Sequence, residues 1–190
     1  MKNLIAPLIF LTILISCETT TEKKSIRDSS EDKELITNNE LHENIYSNDA
    51  LNISFNYPKS WEIQTDTMNR ILYILSPTDS NDLFQEMMNI VIGETNGLSL
   101  KEFFSMNLNA VEEMFDELDR TEDPSEITII NRVFKTVKFN YVFESYPLTA
   151  NLFVTHKDET SYVVNCSALQ NTFDKYQDQF MSVVNSIEIN

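Results

Sequence analysis

The sequence predicts an α/β fold of the α+β type: an α/β/α sandwich with a central antiparallel sheet and two main helices. Three observations carry this. Residues 51–57 alternate apolar and polar side chains, the period-two pattern of a half-buried strand. Two longer segments, opening near Ser99 and Phe173, repeat apolar residues at three- and four-residue steps, as amphipathic helices do. Residues 71–75 and 87–92 are apolar at almost every position, so both faces of those strands must be covered. A sheet that needs cover on both sides, with two helices to supply it, is a layered structure.

The elements follow in order. The first strand, 51–57, ends at Pro58-Lys59-Ser60, and Trp61 opens a second over 61–65. Residues 70–76 carry Ile71, Leu72, Tyr73, Ile74 and Leu75 and belong inside the sheet; 87–92 reads the same way. Gly93 and Gly97 then mark a turn. Ser99-Leu100-Lys101-Glu102 has the spacing of a capping box, in which Ser and Glu satisfy each other's backbone N–H groups. Behind it Leu100, Phe103, Phe104, Leu108, Val111, Phe115 and Leu118 line one face of a helix of about five turns, stopped by Glu122-Asp123-Pro124. Strands are expected at 126–132, 133–145, 148–157 and 160–168, with a hairpin turn at Lys157-Asp158-Glu159-Thr160. The last helix, 173–187, shares Phe173, Tyr176, Phe180, Val183, Val184 and Ile187 on one face, with Asn171 and Asp174 placed to cap it. Connections this short require antiparallel neighbours.

Ahead of the domain the chain reads as an address. Met1-Lys2, an apolar stretch over 4–15 and Leu14-Ile15-Ser16-Cys17 resemble a lipoprotein signal peptide with its lipobox. The stretch is well short of the roughly 20 apolar residues that span a bilayer. The resemblance implies that the Cys17 thiol becomes a thioether to diacylglycerol and that cleavage removes residues 1–16. Each buried CH₂ contributes about 0.8 kcal/mol, so two or more acyl chains, palmitate-like in length, hold firmly where one does not. Residues 17–48 are then the lipidated cysteine and a flexible polar tether, too poor in apolar residues to fold alone, with a reach on the order of 30 Å. Leu35, Ile36 and Leu41 could form a short docking helix. The folded domain is expected over 49–190.

That domain holds 22 Asp+Glu against 9 Lys+Arg, a net charge of −13. Such a surface repels phosphate backbones and anionic head groups, which excludes nucleic acid as a partner class. With Cys17 acylated, Cys166 is the remaining thiol and has no disulfide partner. Two glycines in the whole chain exclude glycine-rich phosphate loops, and no cofactor is expected.

The pieces together resemble PsbP-like domains. Phe55-Asn56-Tyr57-Pro58-Lys59-Ser60-Trp61 is similar to that family's F-x-Y-P-x-x-W opening. Strands follow, then a helix opening Ser99-Leu100-Lys101-Glu102, a late aromatic strand at Thr160-Ser161-Tyr162-Val163-Val164, and a closing helix from Phe173-Asp174-Lys175-Tyr176 through Phe180 to Val184-Asn185-Ser186-Ile187. The resemblance covers about 50–190 and implies the Mog1/PsbP-like fold. Its members include a photosystem II extrinsic subunit, a Ran-binding factor, bacterial lipoproteins and chaperones for secreted effectors, so it implies binding or assembly rather than catalysis.

Candidate site residues are few. Trp61 is expected to pack beside the Pro58 turn; the alternative is an exposed binding anchor. His156 lacks any metal-ligand spacing, and the other histidine, His42, falls in the tether. Cys166 sits on an apolar strand and reads as structural unless a base lies beside it. The densest acid cluster, Glu112, Glu113, Asp116, Glu117 and Asp119, with Glu122 and Asp123, is a weak candidate for Ca²⁺, and Asp79-Ser80-Asn81-Asp82 a weaker one. The expected function is a membrane-anchored envelope lipoprotein acting as a non-enzymatic binding or assembly module, with a protein or small ligand as partner. The alternatives are an envelope enzyme with a carboxylate site on the acidic helix, or a chaperone for apolar segments of exported proteins.

Overall fold

The computed structural model describes residues 43–78, 84–115 and 117–190. Cys17, the segment up to His42, the Asp79–Asp82 stretch and Asp116 lie outside the described residues.

Eleven strands and two helices are built from these residues: β1 (Glu43–Asn48), β2 (Ile53–Pro58), β3 (Glu62–Asp66), β4 (Ile71–Leu75), β5 (Met87–Glu94), α1 (Leu100–Met114), β6 (Leu118–Arg120), β7 (Ser125–Ile129), β8 (Arg132–Phe143), β9 (Tyr146–Lys157), β10 (Thr160–Leu169), α2 (Phe173–Asn185) and β11 (Glu188–Ile189). An eight-stranded antiparallel sheet runs β3-β4-β5-β10-β9-β8-β6, with β7 also paired to β8; a small three-stranded sheet runs β1-β2-β11. Every pairing is antiparallel.

The alternation of each strand divides the core. On one face Leu72, Ile74, Met88, Ile90, Tyr162, Val164, Cys166 and Ala168 meet Phe173, Phe180, Val183 and Val184 of α2 and Ile53 and Phe55 of the small sheet. Phe153 of β9 belongs to that layer, so Leu152 and Val154 point the other way. There, with Val137, Phe139 and Ala150, they lie under α1, which packs on β8 and β9 and buries Phe103, Phe104, Leu108 and Val111. Each fully buried aliphatic or Phe side chain contributes roughly 1.5–3 kcal/mol. A helix covers each face, as the two-sided strands require.

The capping box forms as the sequence dictates. The Glu102 amide donates to Ser99 Oγ at 3.4 Å, and Glu102 Oε2 accepts from the Ser99 amide at 3.0 Å. At the other end α1 stops earlier than its periodicity predicts. Phe115 leaves the helix at φ −118°, ψ 115°, and its ring packs on Tyr141 at 4.6 Å. Leu118 then pairs with Tyr141 in β6, where its backbone satisfies the edge of β8 instead of extending the helix.

Other corrections have equally local causes. Glu43–Asn48, six residues of the expected tether, form β1 on the edge of β2. The expected 126–132 strand is broken at Ile130-Asn131, both in the left-handed region, which makes a two-residue hairpin turn closed by Ile129 and Arg132. Glu144-Ser145 turn β8 into β9 the same way, and Asp158, at φ +53°, sits in the expected turn at 157–160. The expected caps of α2 are not used. Its N-cap is Thr172, whose hydroxyl donates instead to Glu86 Oε1 at 3.1 Å. The helix ends at Asn185, so Ile187 packs from beyond it.

Candidate functional site

A recess that combines charge and shape lies at β6. Glu117, Leu118, Asp119, Asn140, Tyr141, Val142, Pro147 and Gln170 line a shallow recess of about 330 Å³. It exists because β6 is short: the edge of β8 is covered for three residues and then left to the 144–147 turn. Tyr141 forms its floor, 5% exposed, with its hydroxyl 3.0 Å from Ser167 Oγ. Burial pushes the Tyr141 phenol up to about 12, and the Ser167 hydrogen bond opposes that only in part. The recess therefore presents two carboxylates over a neutral phenol.

The expected acid cluster is divided by the end of α1. Glu117 and Asp119 border the recess. Glu112 is engaged elsewhere, accepting from Arg120 Nε at 2.6 Å and from Nη2 in an ion pair. Glu113 is exposed on the last turns of the helix. Among the described residues no three ligating side chains gather in a geometry that could hold a metal ion.

His156 is nine residues beyond Pro147 along β9, about 30 Å at roughly 3.3 Å per residue, so it cannot act with those carboxylates. Its Nδ1 is buried without a hydrogen-bond partner, while its carbonyl accepts from Arg132 Nη1 at 2.9 Å. Cys166 is fully buried in the α2-side layer, and burial alone raises its thiol well above the ordinary range. His156 pairs with Ser161, five residues up β10 and on the opposite sheet face, so among the described residues no histidine lies beside that thiol. Trp61 is 6% exposed and stands edge-on to Phe180, 5.7 Å between centroids at 87°. Its amide donates to Pro58 O at 2.9 Å. The opening Phe55…Trp61 motif is thus a packing device that seats α2 on the sheet.

Two polar features escape sequence reasoning. Glu86 is 1% exposed, and its carboxylate accepts from the Ser76 and Thr172 hydroxyls at 3.1 Å each. It ties the end of β4 to the start of α2, where the helix dipole favours a negative charge. Asn165 (2% exposed) donates to Asn89 Oδ1 at 3.3 Å and leaves its own Oδ1 without a hydrogen-bond partner. Nothing local marks either residue; an acid before a strand and an asparagine within one look like surface residues. Exposed apolar side chains are dispersed over Ile45 on β1, Met68 between β3 and β4, Met106 on α1, Ile130 and Val133 at the β7–β8 turn, and Val142 and Tyr146 at the β8–β9 turn. Single exposures of this kind are ordinary.

No protein-family model matches the chain, and no curated protein matches it at a significant level. Solved structures do. PsbP of Synechocystis sp. PCC 6803 aligns over 79% of this chain and 94% of its own, with TM-score 0.56 and 12% identity. LpqN of Mycobacterium tuberculosis, a protein involved in cell envelope biogenesis, aligns over 73% and 83%, with TM-score 0.57 and 14% identity. The Ran-binding protein Mog1p of Saccharomyces cerevisiae aligns over 78% and 96%, with TM-score 0.55 and 10% identity. The chain has the Mog1/PsbP-like fold. At these identities the likeness is one of backbone architecture. In the Mog1/PsbP-like fold as this chain builds it, α1 and α2 take opposite faces of the large sheet, and the recess at β6 lies beside the end of α1.

Proposed function

We propose that the protein is a lipid-anchored lipoprotein of the bacterial cell envelope, exported and held in a membrane through Cys17, whose domain is a non-enzymatic binding or assembly module. The observation that carries the reading is the pairing of a lipobox with the Mog1/PsbP-like fold, a fold that also serves a Ran-binding protein and a protein of cell envelope biogenesis. The site chemistry agrees. The two carboxylates of the recess face a neutral phenol, and the histidine that a carboxylate enzyme would recruit is about 30 Å away. The acidic domain selects against nucleic acid and anionic bilayer surface, which leaves a protein or a small ligand as partner. No helix of the described residues is long and apolar enough to cross a membrane.

Crosslinking in intact cells, followed by purification from the membrane fraction, tests the binding role. A defined partner should be captured by the wild-type chain and lost when the domain is unfolded by a charge in its core, as in Phe153→Asp. Capture that is unchanged by that substitution would mean the domain is not the binding element.

A further inference from the structure

The recess at β6 carries negative charge that the chain does not neutralise. Glu117 and Asp119 both line it and are exposed. Among the described residues neither enters an ion pair. Two cations stand in adjoining positions, and each is committed elsewhere. Arg120 follows Asp119 directly, but side chains alternate along a strand, so it takes the other face and pairs there with Glu112 of α1. Lys138 lies two residues before Asn140 on β8 and shares its face. Its ammonium is drawn to α2, 4.7 Å from the centre of the Phe173 ring and 3.5 Å from Gln177 Oε1. The segments 102–119 and 139–156, which supply most of the recess, contain no lysine or arginine. Charge of a single sign around a concave surface focuses its field on whatever enters.

Apolar surface adjoins the carboxylates. Val142, in the recess, pairs across the β8–β9 hairpin with Pro147, and Tyr146 follows on the same turn. Val142 is 42% exposed and Tyr146 37%. The walls are fixed in advance: the Gln170 amide donates to Pro147 O at 2.9 Å, and the Thr149 hydroxyl donates to Asn140 Oδ1 at 2.7 Å. Preorganised walls lower the ordering cost of binding. Pockets for small molecules enclose most of the ligand surface, whereas this recess is shallow and suits a side chain laid in from outside. Lysine and arginine match it in both parts, with an aliphatic stem for the Val142–Pro147 rim and a charged head for the carboxylates.

We propose that the recess at β6 is a docking site for a lysine or arginine side chain of a partner protein, with the charged head held by Glu117 and Asp119 and the stem lying against Val142 and Pro147. The inference rests on the reading of the domain as a binding module and names the chemistry of its partner; it does not involve the anchor.

The full chain carrying Cys17→Ser, labelled with nitrogen-15, is titrated with hexa-arginine, with hexaglutamine as the neutral peptide, and with calcium chloride. Hexa-arginine should shift the amides of Leu118, Asp119, Asn140 and Val142 saturably, and hexaglutamine should not. Glu117→Gln with Asp119→Asn should weaken that binding about ten- to thirtyfold, each exposed carboxylate contributing up to about fivefold. Glu113→Gln with Glu188→Gln removes the same charge from exposed positions outside the recess and should change it less than twofold. Val142→Ser should weaken it about two- to threefold with the charge unchanged, as the stem contact requires. Trp61 emission should be unaltered in every variant, showing that the fold persists. Equal losses in the two double variants, or shifts spread evenly over the acidic surface, overturn the proposal. Saturation of the same amides by calcium chloride, with no response to hexa-arginine, overturns it in favour of a cation site. The binding role itself is read separately. A cellular partner whose crosslinking is lost in Phe153→Asp but kept in the Glu117→Gln, Asp119→Asn chain leaves the module standing and removes the recess as its seat.

Discussion

Phe180→Ala tests how α2 is held to the sheet. Phe180 is 2% exposed at the centre of an aromatic group, 5.7 Å from Trp61, 5.7 Å from Phe173 and 6.3 Å from Tyr176. Truncating a buried Phe costs about 3–5 kcal/mol through lost transfer energy and the cavity left behind. Edge-on and tilted ring pairs of this kind are worth about 0.5–1.5 kcal/mol each beyond area, and three pairs are lost here, so the upper part of that range is expected. Against a typical total of about 5–15 kcal/mol, that is a large share of the protein's stability. With a urea slope of about 2 kcal/mol/M, a loss of about 4 kcal/mol lowers the unfolding midpoint by about 2 M. The assay is built in, because Trp61 is the single tryptophan and faces the deleted ring. Its emission should move to the red in the folded variant and follow unfolding in both proteins. Ile45→Ala, at a side chain 76% exposed on β1, is the control and should stay within about 0.5 kcal/mol of wild type. A Phe180→Ala loss below about 1.5 kcal/mol, or unshifted Trp61 emission, would refute this account of the core.

Other outcomes follow from buried titratable groups and strained turns. Of seven tyrosines, Tyr141 should ionise late, near pH 12, in an absorbance titration. Its folded pKa lies above the ordinary value of 10.0, so its contribution to stability is complete below about pH 10 and is lost as pH rises towards 12. Ser167→Ala should delay that ionisation further, since the hydrogen bond from Ser167 favours the phenolate. In the Cys17→Ser chain, Cys166 should resist thiol reagents until the domain unfolds globally, because it is fully buried and its thiolate disfavoured; fast labelling under native conditions would contradict its placement. Ile130→Asn should raise stability by about 1 kcal/mol, read as a higher urea midpoint, by relieving left-handed backbone at a β-branched residue that is already 52% exposed.

What was legible in the sequence was what short-range physics decides. The Ser99–Glu102 box, the helical face of Phe103 to Val111 and the two-sided strands around Ile71 and Ile90 each depend on neighbours a few residues away. The misreadings arose where a distant partner outweighed the local pattern. Leu118 continues the spacing of α1, three residues after Phe115, yet Tyr141 claims it for β6. Glu43–Asn48 is as polar as a linker because it lies at a sheet edge with half its side chains outward. Ile130-Asn131 and Glu144-Ser145 turn hairpins without the glycine that signals such turns, which hid both. The sites divide in the same way. The stretch ending at Cys17 that resembles a lipobox is read from contiguous residues, whereas the Glu86 clasp exists only through the docking of α2 on the sheet.

Metabolic labelling with an alkyne fatty acid, followed by membrane fractionation, tests the central claim, an acylated module held in the envelope. The wild-type chain should carry the label and sediment with membranes, and Cys17→Ser should lose the label and leave the membrane fraction. Labelling that persists in Cys17→Ser, or membrane association that does not depend on Cys17, would contradict it.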